Sequence, residues 1–410
     1  MRLVVAVLSA CLIAAAPAEA AKRPPKRKGG EVRRVHSLPK GKLARFIARQ
    51  VGPARTALAA ASAATSIPGA VLDPSDRGKL YLVRSYDIPS DDPSAKRLEN
   101  LSWTYDSAIG AIALDSYGAR NQAQQLLDQL AAVQRTDGSL DFAYDVSNGG
   151  SVQLFRTGTI AWVGYAALVH RFLTGTTRYN SLIAGTAKWL LARRLPSGLL
   201  AGGPDVSWVS TQNNMVAYQF LASLATDPVG TLSSRQLAGV ASDIADGIDS
   251  TLTITPASGQ LGFLQGSNDP LRPLDAQTLG VMYLLARGRP LDAHKVLNYV
   301  NSAFRVTGRS ITKSNDPATY NQTYTAKGPL NGYRPYASAG PDVIWQEGTA
   351  QMTWASGLLG QPVGDLSAWS AVGPLQADRT VTDSKVNEYH VWPASAAASW
   401  SLIASLGFPR

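Results

Sequence analysis

The strongest constraint on the fold of this chain is a repeated alternation of two kinds of predicted helix. The first helix of each pair is apolar or small nearly all round, which predicts burial on every side. The second carries an apolar stripe at i, i+3, i+4 spacing and a polar opposite face, which predicts an outer helix. The pairs are 103–118 with 121–134, 158–173 with 179–194, 210–225 with 233–248, and 275–286 with 291–304; two further apolar helices are predicted at 347–359 and 393–407.

Six inner helices with outer partners predict an all-α (α/α)6 toroid of helical hairpins. The turns within pairs are short, whereas the loops between pairs are long and rich in Gly, Pro, Asp and aromatic residues. A solenoid of helix pairs is the alternative architecture, but unequal spacing and long loops on one side favour a closed ring. A further predicted helix at 42–61 can supply the missing outer partner and close it.

In such a ring the inner helices run parallel, so their N-termini and the long loops share one mouth. We therefore expect a cleft lined by the polar residues at the six helix starts, which are Tyr105, Asp106, Arg156, Thr157, Thr211, Gln212, Asn213, Asn214, Asp275, Glu347, Tyr389 and His390.

Helix capping is the competing explanation for acids at these positions. Asp, Thr, Asn and Ser are favoured N-caps, and acids suit the positive end of a helix dipole. Capping alone can explain Thr211 and Asp275. It suits Glu347 less well, because Glu is a poor N-cap and Gly348 in the first turn costs helix stability unless a close approach requires it. For Asp106 the two explanations weigh about equally.

Two carboxylates across a cleft can cleave a glycosidic bond, one as general acid and one as base. Burial near aromatic rings raises the pKa of a carboxyl so that it keeps its proton near neutral pH. Glu347 has Trp345 and Trp354 nearby in sequence and is the predicted acid. Asp106 is the predicted base, and inversion, with carboxyls ~6.5–9.5 Å apart, is the expected outcome. Reserve carboxylates are Asp141, Asp145 and Asp342.

The segment 320–342 is rich in aromatic and amide residues, a composition that suits sugar binding. Its tyrosines are Tyr320, Tyr324, Tyr333 and Tyr336. Loops this long in a compact domain are usually functional. The complete set of predicted substrate contacts is Trp103, Tyr105, Arg156, Gln212, Asn213, Asn214, Asp275, Tyr333, Tyr336, Trp345 and His390.

The N-terminal segment predicts export. Residues 1–20 combine one basic residue, an apolar run and an Ala18-Glu19-Ala20 ending, which is the layout of a secretory signal peptide. Lipid anchoring through Cys11 is the second choice, because the apolar run continues past it. We expect a periplasmic or extracellular monomer with a disordered basic leader at 21–41 and a single barrel domain at 42–410.

Charge and composition restrict the partners. The formal charge is +10, but the segment 22–55 carries twelve Lys or Arg against one acid, so residues 56–410 are almost neutral. The leader is either a solvated spacer or a weak tether to anionic lipid or envelope polymer. With no basic stripe, phosphate loop or cysteine-based metal site in the body, we expect no nucleic acid, cofactor or metal and a carbohydrate substrate.

Several motifs resemble those of the six-hairpin glycosidase-like superfamily, specifically its secreted bacterial (α/α)6-barrel proteins. The motifs occur in order over most of the chain from about residue 100. They are YDSAIGAIAL (105–114), QRTDGSL (134–140), RTGTIAWVGYAAL (156–168), WVSTQNNMVAY (208–218), LDAQTLG (274–280), IWQEGTAQ (344–351) and HVWPASAAASW (390–400). The resemblance implies the toroid fold and a carbohydrate-active enzyme. One departure matters: the family pattern Ser-Thr-Glu-His-Asn reads Ser-Thr-Gln-Asn-Asn at 210–214, which implies an altered substrate or lost activity.

Three functions therefore compete. The first is a secreted glycoside hydrolase using Glu347 and Asp106. The second is a polysaccharide lyase, in which amides neutralise a uronate and a Tyr or His abstracts the adjacent proton; its candidate residues are Gln212, Asn213, Asn214, Tyr218, Tyr336 and His390. The third is a glycan-binding protein of the cell envelope without catalysis.

Overall fold

The computed structural model describes residues 39–53, 71–73, 76–88, 92, 94–309, 330–338, 340–361, 373–382 and 388–406. Helices dominate this part of the chain, and the helices predicted from residue 103 onward are confirmed to within a few residues. They are α1 Lys40–Arg49, α2 Ala95–Leu98, α3 Thr104–Tyr117, α4 Arg120–Val133, α5 Thr157–Thr174, α6 Asn180–Leu191, α7 Thr211–Thr226, α8 Ser234–Thr251, α9 Leu274–Ala286, α10 Pro290–Ala303, α11 Gln346–Leu358 and α12 Ser395–Leu406.

The six inner helices form a closed ring, as predicted. Neighbours pack in the order α3, α5, α7, α9, α11, α12, and α12 packs back against α3. A solenoid is excluded because the first and last inner helices touch. Helices α4, α6, α8 and α10 lie outside their predicted inner partners, and α1 packs on both α12 and α3. The helix predicted at 42–61 therefore closes the ring, although it ends at Arg49.

Small residues allow the inner helices to approach one another closely. A Cβ atom on Gly164 in α5 would lie 2.5 Å from the Phe220 ring of α7. Gly280 in α9 leaves room for the loop that precedes this helix, because a Cβ there would lie 2.2 Å from the Phe263 ring. Below the mouth, the axis of the barrel is filled by aromatic rings. Trp400 contacts Trp162 and Trp354 with ring centroids 5.9 and 5.7 Å apart.

The loops at the mouth contain short strands that the sequence patterns did not predict. They are β1 Val71–Asp73, β2 Leu101–Trp103, β3 Ala143–Asp145, β4 Ser151–Gln153, β5 Thr253–Ile254, β6 Gly262–Phe263, β7 Arg305–Arg309, β8 Leu330–Tyr333, β9 Val381–Thr382 and β10 Glu388–Tyr389. Strands of two to five residues are too short to show an alternating pattern. An antiparallel sheet has the order β1-β4-β3-β2, and its strand β2 leads into α3. Three two-stranded sheets pair β5 with β6, β7 with β8, and β9 with β10.

The signal peptide, almost all of the basic leader, Cys11, Tyr320 and Tyr324 lie outside the described residues, so their roles stay predictions. Across the described part of the chain, no helix combines the length and the hydropathy required to cross a bilayer.

Candidate active site

The N-termini of all six inner helices open into one cleft of about 1090 Å³. This confirms the expectation that residues distant in sequence meet at the mouth. Nine of the thirteen predicted site residues line the cleft, namely Trp103, Tyr105, Asp106, Arg156, Gln212, Asn213, Asp275, Tyr336 and Glu347.

Glu347 is the second residue of α11, and its carboxylate does not cap that helix. The N-cap is Trp345, which makes no side-chain capping bond. Instead, Tyr105 donates a hydrogen bond to Glu347 Oε1 at 2.7 Å, and Gln351 Nε2 donates to the same oxygen at 3.3 Å. Burial is the main reason that the pKa of Glu347 is raised to about 8, although the Tyr105 hydrogen bond opposes this shift. Glu347 therefore holds its proton at neutral pH.

Two relays of hydrogen bonds orient the donors to Glu347. Trp400 Nε1 donates to Tyr105 Oη at 2.7 Å, so the tyrosine hydroxyl is directed toward the carboxyl group. Thr278 Oγ1 donates to Gln351 Oε1 at 2.7 Å, which leaves the amide nitrogen of Gln351 to face Glu347. Four inner helices thus hold Glu347 Oε1 in place, a degree of preorganisation typical of catalytic groups.

Asp106 is the third residue of α3 and is buried at the same cleft. Its environment differs from that of Glu347 because Ser85 hydrogen-bonds to it. Burial raises the pKa of Asp106 to about 7, and the Ser85 hydrogen bond opposes this shift. Between these two pKa values, Asp106 is ionised while Glu347 is protonated. Two carboxyls separated in this way can serve as base and acid.

Asp275, predicted as a substrate contact, brings a third carboxylate to the cleft. It is the second residue of α9, and its Oδ1 accepts a hydrogen bond from the Ala276 backbone amide at 2.8 Å. Burial raises its pKa to about 6, and this amide opposes the shift. The charge of Asp275 also raises the pKa of Glu347, as does that of Asp106. The capping explanation for Asp275 is therefore incomplete.

Asn214 and Tyr333 do not line the cleft. Asn214 is fully buried, and its amide bonds the backbone of Leu200 at 2.8 and 3.0 Å, which fastens the preceding loop to α7. Tyr333 ends β8, and its hydroxyl donates to Asn301 Oδ1 on the outer helix α10 at 2.8 Å. Both side chains therefore point away from the cleft.

Trp345 and His390 also lie outside the cleft lining. Trp345 packs on Gly348 and Leu274, and a Cβ atom on Gly348 would lie 2.4 Å from its ring. The close approach that requires this glycine is therefore to a tryptophan rather than to a substrate. His390 stacks on Trp392 with centroids 3.6 Å apart, and its backbone amide donates to Gln376 Oε1 at 2.8 Å.

The reserve carboxylates have structural partners. Asp141 is buried, pairs with Arg135 at 2.9 Å and accepts from Ser151 at 2.7 Å. Asp145 accepts from the Ser147 amide in the turn after β3. Asp342 pairs with Arg309 at 2.7 Å on the surface. Within the described residues, no group of three or more His, Cys, Asp or Glu is arranged to hold a metal ion.

Several cleft residues escaped the sequence prediction, among them Tyr86, Phe142, Trp208, Asn268 and Gln376. Most of them lie in irregular loops, whose positions depend on contacts distant in sequence. Asn268 adopts φ of 65°, a left-handed conformation that asparagine tolerates. Trp208 had one usable signal, since it lies three residues before the start of an inner helix.

Comparison with known proteins identifies relatives by structure only. No family model and no curated protein matches the sequence. A glycosidase variant in complex with glucose has a TM-score of 0.59 at 15% identity, over 90% of this chain and 98% of that chain. An alpha-amylase from Clostridium perfringens has a TM-score of 0.53 at 10% identity, over 90% and 96% of the two chains. A bacterial glucoamylase complexed with acarbose has a TM-score of 0.53 at 15% identity, over 80% and 52%.

These matches extend over most of the chain, and they agree with the closed ring of six inner helices. Together they show that the chain has the fold of the six-hairpin glycosidases, a glycosidase-like (α/α)6 toroid.

Proposed function

We propose that this protein is a glycoside hydrolase in which Glu347 is the general acid and Asp106 the general base. The observation that carries the proposal is a half-buried Glu347 that accepts hydrogen bonds from Tyr105 and Gln351, in a cleft that also holds Asp106. The pKa of Glu347 is raised to about 8 and that of Asp106 to about 7. Glu347 donates its proton to the glycosidic oxygen as the bond to the anomeric carbon breaks. Asp106 accepts a proton from the water that attacks that carbon, and inversion follows.

The charge of the cleft supports a neutral glycan as substrate. Arg156 is the one basic residue among the described residues that line the cleft, and it already contacts Asp205 at 3.3 Å. Four acids line the same cleft: Asp106, Asp269, Asp275 and Glu347. A uronate would meet these acids with little compensating positive charge. Of the three amides proposed to neutralise a uronate in a lyase, only Gln212 and Asn213 line the cleft. The third, Asn214, bonds backbone groups instead.

The test is release of reducing ends from a panel of neutral and uronate glycans. We expect wild-type activity on a neutral glycan and a ~10²–10⁴-fold loss in Glu347→Gln and in Asp106→Asn, because general acid and base catalysis supplies rates of that order. Asp275→Asn should lose less, since Asp275 is assigned to substrate contact. Asp246→Asn, at an exposed carboxylate on α8, is the matched control.

A different ranking of the variants would change the assignment. Full activity in Asp106→Asn together with inactivity of Asp275→Asn would move the base to Asp275. A product that absorbs in the ultraviolet, from a new double bond, would instead establish lyase chemistry.

We also propose that the protein is exported after cleavage behind Ala20, on the composition of residues 1–20. The mass of the mature protein tests this: an N-terminus at Ala21 is expected, and an acylated Cys11 would contradict it.

A further inference from the structure

Trp208 presents a large apolar surface at the rim of the cleft. Its side chain is 44% exposed, whereas Trp162, Trp354 and Trp400 below the mouth are buried. Trp208 nevertheless lines the cleft rather than the outer surface of the barrel. A large exposed aromatic ring in a binding cleft is more informative than one on an open surface, because apolar surfaces inside clefts commonly contact ligands.

The neighbours of Trp208 hold its ring in place. Gly202 packs directly on the ring, and a Cβ atom there would lie 2.3 Å from Cζ3. The Arg156 guanidinium lies 5.4 Å from the ring centroid. Arg156 is itself fixed, since Nη1 donates to the Phe155 carbonyl at 2.9 Å and contacts Asp205 at 3.3 Å. A ring that is ordered before binding loses little entropy when a ligand stacks on it.

Trp208 and Glu347 belong to parts of the mouth that are not adjacent in the ring. Trp208 lies in the loop that leads into α7, and its ring packs beside Arg156 at the start of α5. Glu347 lies at the start of α11, which is a direct neighbour of neither α5 nor α7 in the order of the inner helices. An amide is available on the same side of the cleft: Asn213 lines it, and its Oδ1 lies so close to Gly158 that a Cβ there would be 2.1 Å away. This wall therefore offers an aromatic surface together with a positioned amide.

We propose that Trp208 is the stacking platform of a second sugar subsite, which holds a neutral sugar ring of the glycan remote from the bond that Glu347 protonates. The apolar face of the sugar lies on the exposed indole, and its hydroxyl groups bond to the Asn213 amide. The inference rests on the proposed function, because it takes the ligand to be the same glycan. It extends that function by assigning the cleft an oligosaccharide with at least two occupied subsites.

The test measures binding separately from turnover. Calorimetric titrations use neutral gluco-oligosaccharides with α-1,4, β-1,4 and β-1,3 linkages and two to eight sugar units. They compare Glu347→Gln alone, in which we expect cleavage to be impaired, with Glu347→Gln carrying Trp208→Ala, Trp208→Phe or Phe172→Ala. Phe172 is the matched control, since it is 42% exposed on α5 but lies in the last turn of that helix, away from the mouth.

We expect Trp208→Ala to weaken binding by ~10-fold or more, the usual effect of truncating an anchoring tryptophan. Trp208→Phe should keep most of the affinity, and Phe172→Ala all of it. Equal affinity with and without the indole would overturn the platform, and so would the absence of binding to every oligosaccharide. Trp208-dependent binding without turnover by the wild type would reject hydrolysis and leave the platform in place.

Discussion

At the scale of single residues, the chemistry of the cleft depends on how burial and hydrogen bonds set the pKa of each carboxyl group. Burial raises the pKa of Glu347 and Asp106 because the charged form loses hydration. The hydrogen bond from Tyr105 partly opposes this effect at Glu347, and that from Ser85 does so at Asp106. The charges of Asp106 and Asp275 raise the pKa of Glu347 further, so the two groups differ in pKa although both lie in one cleft.

The first prediction at this scale is a narrow pH optimum. The base must be ionised, so kcat/KM should rise as pH passes about 7, where Asp106 loses its proton. The acid must be protonated, so kcat/KM should fall as pH passes about 8, where Glu347 loses its proton. A pH profile of kcat/KM on the best glycan checks this, and a flat profile from pH 5 to 10 would contradict the assignment.

The second prediction concerns Tyr105. Its hydroxyl stabilises the ionised form of Glu347, so Tyr105→Phe should raise the pKa of Glu347 further. The alkaline limb of the pH profile should then move to higher pH, while the acid limb, set by Asp106, stays in place. Tyr218→Phe is the control, because that ring lies on α7 outside the cleft lining. If only kcat falls and neither limb moves, Tyr105 does not act through Glu347.

The third prediction links the same carboxyl to stability. The folded pKa of Glu347 is raised above its unfolded value, so its contribution to stability is full below the unfolded pKa and is lost as pH rises through about 8. Glutamine does not ionise, so the Glu347→Gln variant does not lose stability in this way as pH rises. The difference in Tm, variant minus wild type, should therefore grow between pH 5 and pH 9. A difference independent of pH would show that the pKa of Glu347 is not raised in the folded protein.

At the scale of elements, α11 shows how a helix start can serve both packing and the site. Trp345 is held from two sides, since its amide donates to the Tyr333 carbonyl at 2.9 Å and its backbone bridges to Ala377. Gly348 leaves room for the Trp345 ring and for Leu274. The same turn places Glu347 at the cleft. Packing of the first turn therefore determines where the carboxyl lies.

The prediction at this scale is that Gly348→Ala destabilises the fold. The new Cβ would lie 2.4 Å from Trp345 and 2.6 Å from Leu274, so one of them must move. Overpacking of this kind costs ~1–3 kcal/mol in the free energy of unfolding. Gly239→Ala in α8 is the matched control: a Cβ there meets nothing within 4 Å, and we expect a gain of ~0.5–1 kcal/mol. Urea unfolding measures both, and a neutral Gly348→Ala would contradict the packing argument.

At the scale of the whole molecule, α1 covers the seam at which α12 packs against α3 and closes the ring. This helix comes from the beginning of the described chain and packs against α12 at its end as well as against α3. Its apolar face is completely buried, and it includes Leu43, Phe46 and Ile47. Phe46 also contacts Gly373, where a Cβ atom would lie 2.5 Å from the ring. Helix α1 thus joins two distant parts of the sequence.

We therefore predict that Phe46→Ala costs ~3–5 kcal/mol in the free energy of unfolding, the usual cost of truncating a buried phenylalanine. Lys42→Ala on the exposed face of the same helix should change it by less than ~0.5 kcal/mol. Thermal unfolding checks both variants. An equally small effect of the two substitutions would mean that α1 does not stabilise this seam.

Much of the architecture could be predicted from the sequence because helix periodicity is local information. Inner and outer helices differ in how completely apolar residues surround them, and that difference is visible within each segment. The number and order of helix pairs then predicted the toroid and the shared mouth. Glu347, Asp106 and seven other residues were found at the cleft for this reason.

Tertiary structure decided which side chain at each helix start faces the cleft. Asn213 lines the cleft whereas the adjacent Asn214 bonds the Leu200 backbone, since successive helical residues point about 100° apart. The loops make contacts with residues that are distant in sequence. These contacts determine where the short strands form, why Trp208 lies at the cleft, and why Tyr336 lines the cleft whereas Tyr333 does not. The sequence by itself determined the ring of helices; only the packing of loops against helix ends decided the composition of the site.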